Sequence, residues 1–144
     1  MNVEVNYLAV LLAAVSSMLV GWVWYSRPVF GDRWSKLVKL SDKQMKEGAA
    51  RAMGLTFLVS LVTAYVLAHM AYLSHYFFDN SFLQDSLMTA FWAWLGFTAA
   101  RMITHDLFEQ RNSNLTLMNV AHELATLLAM GLVIGLIGHG GPAA

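Results

Sequence analysis

Apolar residues run along this chain in long blocks and do not alternate with polar ones. Residues 7–24 and 52–73 carry no charge, 87–103 carry one Arg near their end, and 115–137 carry one His and one Glu. Crossing about 30 Å of hydrocarbon at about 1.5 Å per residue takes roughly 20 helical residues, and each block approaches that length. Strands of a membrane barrel would be shorter and would alternate. The pattern therefore predicts four helices, over about 6–26, 42–74, 82–105 and 114–138.

Local signals sharpen the ends. Ser41-Asp42-Lys43-Gln44 and Ser81-Phe82-Leu83-Gln84 both fit a capping box, so the second and third helices start outside their apolar blocks. Asn114 is a candidate cap for the last helix, which Gly138, Gly140, Gly141 and Pro142 end. The first apolar block follows Glu4 and no Lys or Arg, unlike the basic start of a signal peptide, and is expected to stay as a mature helix.

Composition turns four apolar helices into a membrane expectation. Of 144 residues, 58% are hydrophobic and 12% charged, against about a quarter charged in a soluble domain. Too little polar surface remains to cover four apolar helices in water. The expected fold is all-α: one integral membrane four-helix bundle over residues 1–144, with the lipid bilayer as its partner. Nine Lys and Arg balance nine Asp and Glu, so no basic excess points to nucleic acid. The absence of Cys excludes disulfides, thiolate metal sites and a cysteine nucleophile.

Charge placement adds orientation. Arg27, Arg33, Lys36, Lys39, Lys43, Lys46 and Arg51 lie between the first two blocks, and Arg101 and Arg111 flank the connection before the last. The positive-inside rule puts both regions in the cytoplasm and both termini outside. Asn114-Leu115-Thr116 matches a glycosylation acceptor, but on the expected cytoplasmic side it is discounted. Phe30, Trp34, Leu37, Val38 and Leu40 alternate with Arg33, Lys36 and Lys39, which suits a short amphipathic helix on the inner leaflet, its basic face toward anionic lipid, or an ordinary basic connector. Trp22, Trp24, Tyr25 and Trp34 read as an aromatic belt.

Small residues recur every fourth position: Ala9, Ala13, Ser17 and Gly21; Ser60, Ala64 and Ala68; Ala121, Ala125 and Ala129; Gly131 and Gly135. In lipid such stripes let helices approach closely. Two stripes on the last helix leave one for a second contact, which predicts a homo-oligomer.

Candidate chemistry is sparse. Asn119, His122 and Glu123 share the last helix, and Arg101, counted outward from the preceding connection, falls near the level of Asn119. Ionisable groups inside a membrane face the bundle or a wet cavity and find partners. Two readings stay open: Glu123 binds a cation or exchanges a proton with Asn119, His122 and Arg101 around it, or Arg101 and Glu123 form a fixed pair that locks two helices. His69, His75, Asp79 and His139 fall toward the outer side, but their spacing matches no recognised zinc site, and no metal or cofactor is expected.

Two segments resemble a known family. Gly21-Trp22-Val23-Trp24-Tyr25-Ser26-Arg27-Pro28-Val29-Phe30-Gly31-Asp32-Arg33-Trp34, and Leu107-Phe108-Glu109-Gln110-Arg111 followed by Leu117-Met118-Asn119, resemble the domain-of-unknown-function 1761 family of small membrane proteins. Arg27 stands where Pro is usual, with Pro28 one place later, and His122-Glu123 replaces a different pair. The resemblance implies a four-helix inner-membrane protein with no established activity. In physical terms, Tyr25, Ser26 and Pro28 end the first helix, Phe30 and Gly31 turn the chain, and Trp34 anchors it. Phe108, Glu109 and Arg111 are expected at the same membrane face, with Glu109 paired to a basic residue. Three functions follow from these residues: a binding or translocation path beside the last helix, a non-transporting scaffold or partner subunit, or a small membrane enzyme acting on a lipophilic substrate.

Overall fold

The computed structural model describes residues 3–39, 41–78 and 80–138. They are helical with no strand among them: α1 (Tyr7–Trp24), a π-helical turn (Arg27–Gly31), α2 (Asp32–Val38), α3 (Asp42–Phe78), α4 (Phe82–Ala93), a second π-helical stretch (Trp94–Ala99), α5 (Ala100–Phe108) and α6 (Ser113–Ile137). Three of these, α1, α3 and α6, are long and apolar enough to cross a membrane. The third expected span differs: it runs as α4, the π stretch and α5 in succession. A π turn takes one more residue than an α turn, and here it coincides with Trp94, whose indole N–H donates to the Val120 carbonyl of α6 at 2.9 Å.

The caps explain the helix starts. Asn6 accepts from the Leu8 and Ala9 amides and begins α1. The Ser41 box is complete: Gln44 N–H donates to Ser41 Oγ at 3.3 Å, and Ser41 N–H donates to Gln44 Oε1 at 3.0 Å. Ser81 caps α4 through the Gln84 amide. The last helix is capped by Asn112, two residues before the expected Asn114, whose own N–H is the group captured. Gln110, in the left-handed conformation at φ 53°, reverses the chain between α5 and α6.

The main packing of α1, α3, α4 and α6 follows the cyclic order α1–α3–α4–α6, with α3 and α6 also in contact across it. The core is rich in alanine: Ala13, Ala14, Ala64, Ala68, Ala71 and Ala90 with Val10, Leu67, Phe82, Leu127, Met130 and Ile134. The small stripes serve this packing. Ala9, Ala13 and Ser17 are buried, as are Ser60, Ala64 and Ala68. A Cβ on Gly135 would stand 2.7 Å from Leu83 Cα, and one on Gly131 would stand 3.0 Å from the Ser86 carbonyl oxygen, so α4 and α6 touch at backbone distance there.

The two ends of this bundle differ. At one, Asn6 Nδ2 donates to the Ile137 carbonyl at 3.1 Å, and the Tyr72 hydroxyl donates to the Gly138 carbonyl. Nearby, His75 Nδ1 lies 3.0 Å from Asp85 Oδ2, which joins α3 to α4. At the other end α3 departs. Every residue from 46 to 56 is exposed, and among the described residues no Cα of α3 comes within 8 Å of the 94–99 stretch or of α5. At 37 residues α3 is about 55 Å long, against about 27 Å for the 18 residues of α1, so it outruns its partner.

Candidate functional site

Where α3 departs, the chain gathers its polar and aromatic groups. Ser26 starts the turn after α1: its carbonyl accepts from the Val29 amide at 3.1 Å and from the Gly31 amide at 2.9 Å. Pro28 sits in the first part of that turn, where a missing N–H costs nothing. A Cβ on Gly31 would stand 2.4 Å from the Tyr25 carbonyl oxygen, so only glycine fits. This tight turn lays Phe30 on Trp24 (ring centroids 4.8 Å apart) and Trp34 of α2 on Tyr25 (5.3 Å). In α2 and its C-cap Lys39, Trp34, Leu37 and Val38 are half-buried, whereas Arg33, Lys36 and Lys39 are exposed, as the amphipathic pattern predicts; Leu40 lies outside the described residues.

α6 supplies the other wall. Asn119 Oδ1 accepts from the Tyr25 hydroxyl at 3.2 Å. The His122 ring lies 4.9 Å from that of Tyr25 and 5.9 Å from that of Trp24, against Gly21 of α1. Its Nδ1 is 3.4 Å from Glu123 Oε1, with the His122 side chain 14% exposed and that of Glu123 36%. Its Nε2 is 3.4 Å from Thr126 Oγ1. Burial, and then the charge of Glu123, push the Tyr25 hydroxyl, just past the end of α1, up to about 12, so it stays protonated and donates. The Trp24 indole nitrogen is buried and has no hydrogen-bond partner among the described residues.

Glu123 stands four, seven and eleven residues before Leu127, Met130 and Ile134, all core residues, so it continues their stripe toward the departing α3. Its level also follows. Asn6 meets Ile137 and Gly21 meets His122, so α1 and α6 run antiparallel in register. His122 therefore lies within about one turn of the end of α1 and not at its middle.

Arg101 does not join this group. It is exposed and makes no ion pair among the described residues, so the expected reach to Asn119 or Glu123 is not made. Two residues after the buried Ala99 and five before the buried Asp106, it falls on the far side of α5 at 100° per residue. Phe108 is likewise exposed and remains apart from the Trp24–Trp34 cluster. Glu109 pairs as expected, its Oε2 2.7 Å from Arg111 Nε.

Two carboxylates escape a reading of the sequence. Asp106, 8% exposed, accepts from the Thr116 hydroxyl at 2.6 Å and lies 3.6 Å from Arg111 Nε. Its signal is spacing: with Ala99 and Ile103 it forms the face of the helix toward α6. Asp85, 2% exposed, accepts from Asn80 Nδ2 at 3.1 Å and faces His75. Of the remaining outer-side residues, His69 Nδ1 lies 3.1 Å from the Tyr65 carbonyl one turn back, and Asp79 and His139 lie outside the described residues. Among the described residues no three His, Asp or Glu gather where one metal ion would touch them.

No curated protein and no solved structure matches this chain. A family model does, over residues 8–135, under the description "Protein of unknown function (DUF1761)". That match spans both helix-end segments, which the fold brings into contact through Tyr25 and Asn119, and the chain belongs to the DUF1761 family.

Proposed function

We propose that this chain is an integral protein of the cytoplasmic membrane, a four-helix arrangement with both termini outside, in which Glu123 takes up and releases a proton or small cation at the basic, cytoplasmic end. One observation carries the reading: a half-exposed carboxylate continues the core stripe of α6 at the level where α3 leaves the bundle. A charge in such surroundings is retained only where it is answered. His122 Nδ1 stands 3.4 Å from the carboxylate, and Trp24 and Tyr25 wall the imidazole. Leu127, Met130 and Ile134 block the way beyond, so release to the other side requires α6 to repack against α1 or α4.

Carbodiimide labelling of Glu123 in membranes, read by mass spectrometry across a pH series, tests this. Labelling of Glu123 that one cation suppresses is the expected result. Glu123 unlabelled at every pH would overturn the proposal. Flux in proteoliposomes, lost in Glu123→Gln, then separates translocation from binding alone.

A second reading has its own support. The exposed start of α3, with Gly48 and Gly54 in open space, suits a scaffold that packs on another membrane helix or on a second copy of this chain. It predicts a stable homo-oligomer or copurifying partner that tolerates Glu123→Gln. The basic face of α2 suits anionic lipid in either case.

A further inference from the structure

A second polar site lies at the α5–α6 connection, independent of Glu123. A cavity of about 240 Å³ is bounded there by Ile103, Leu107, Leu117 and Val120 on its apolar side, and by Asp106, Arg111, Ser113 and Thr116 on its polar side. This is smaller than the roughly 300–1,000 Å³ that encloses a whole drug-sized ligand, and suits a headgroup whose chains continue outside. The apolar side opens onto Leu107 and Leu117, which are 72% and 69% exposed on the outer surface of the helices.

The charges select the headgroup. Arg111 spends Nε on Glu109 at 2.7 Å and approaches Asp106 at 3.6 Å, which fixes its plane. Its Nη groups have no partner among the described residues, and paired guanidinium N–H groups suit a phosphate. Yet Asp106, Glu109 and Arg111 together carry a formal charge of minus one, so a headgroup that is only anionic meets net repulsion. A headgroup with both phosphate and ammonium satisfies each element: phosphate on Arg111 Nη and the Ser113 hydroxyl, ammonium on the half-exposed Glu109 carboxylate. We infer that this cavity takes the phosphate of a zwitterionic aminophospholipid of the phosphatidylethanolamine class on Arg111, and that the ammonium reaches Glu109, which pairs with Arg111 just outside the cavity lining.

Native mass spectrometry of the full chain in mild detergent, with phosphatidylethanolamine or phosphatidylglycerol added at equal concentration, tests this. The parent protein is expected to retain phosphatidylethanolamine in preference, Arg111→Gln to weaken that retention about tenfold, and Glu109→Gln to shift preference toward phosphatidylglycerol. Glu109 is exposed, so its variant keeps the fold if Arg111→Gln does not. Leu117→Trp, at the exposed rim, is expected to block retention without altering helicity. Equal retention of the two lipids by the parent, unchanged preference in Glu109→Gln, or displacement by soluble glycerophosphoethanolamine at the same concentration would each overturn the inference.

Discussion

Replacing Gly31 by Ala tests whether the turn after α1 builds the candidate site. A Cβ at that position would stand 2.4 Å from the Tyr25 carbonyl oxygen, 2.8 Å from Ser26 C and 2.9 Å from the Ser26 oxygen. All three are backbone atoms of the same turn, so no side chain is able to swing aside. Restoring an ordinary carbon–oxygen contact requires a displacement of about 1 Å, which breaks the 2.9 Å bond from the Gly31 amide to Ser26. Overpacking of this kind costs about 1–3 kcal/mol. The damage spreads in a defined direction, because Trp24 and Tyr25 rest on Phe30 and Trp34 and also wall His122. The assay is unfolding in detergent, followed by far- and near-ultraviolet circular dichroism, with Gly48→Ala as control. A methyl added at Gly48 would have nothing within 4 Å, and the position lies inside α3, where alanine is favoured by roughly 0.5–1 kcal/mol. Gly31→Ala is expected to lose stability and tryptophan asymmetry, and Gly48→Ala to gain slightly. A Gly31→Ala protein as stable as the Gly48→Ala control would refute the claim that this turn holds the site together.

Gly135→Ala is expected to part α4 from α6, since its methyl meets Leu83 Cα at 2.7 Å, with a loss of about 1–3 kcal/mol in the same unfolding assay. Thr116→Val removes the hydroxyl 2.6 Å from Asp106 Oδ2 and leaves that buried oxygen unpaired, at a cost of about 1–3 kcal/mol; equal stability of the variant and its parent would show the bond to be dispensable. The Tyr25 hydroxyl, raised to about 12 by burial and by Glu123, is protonated in the folded chain at pH values where an unfolded tyrosine, at 10.0, has ionised. Its contribution is therefore intact below pH 10 and is lost as pH rises toward 12; the phenolate absorbance absent from Tyr25→Phe is expected to appear only toward the upper limit, and its appearance near pH 10 would contradict the burial. Arg101→Gln, which breaks no ion pair among the described residues, is expected to leave both thermal stability and carbodiimide labelling of Glu123 unchanged.

What the residues determine alone is local or one-dimensional. Span length depends on the run of uncharged residues and the rise per residue, so α1 and α6 lie where the apolar blocks place them. Ser41 and Gln44 find each other because a capping box closes over three residues, and Glu109 and Arg111 pair because they lie two positions apart. Proximity in sequence also misleads: Asn112 and Asn114 are both good caps, and backbone geometry chose the first.

Tertiary structure decided everything that depends on which way a helix faces. Arg101 and Asp106 lie on one helix, but only Asp106 faces α6, a difference of rotation that distance along the chain does not reveal. Gly131 and Gly135 are equally suited to a neighbouring subunit or to α4, and the close backbones of Leu83 and Ser86 show the second. Asn119 and Tyr25, 94 residues apart, meet because α1 and α6 run antiparallel in one register. That register sets His122 and Glu123 near the end of α1, beneath its aromatic turn, where α3 turns away. Side-chain chemistry named the polar residues of α6, and the packing of the helices determined which of them share a site.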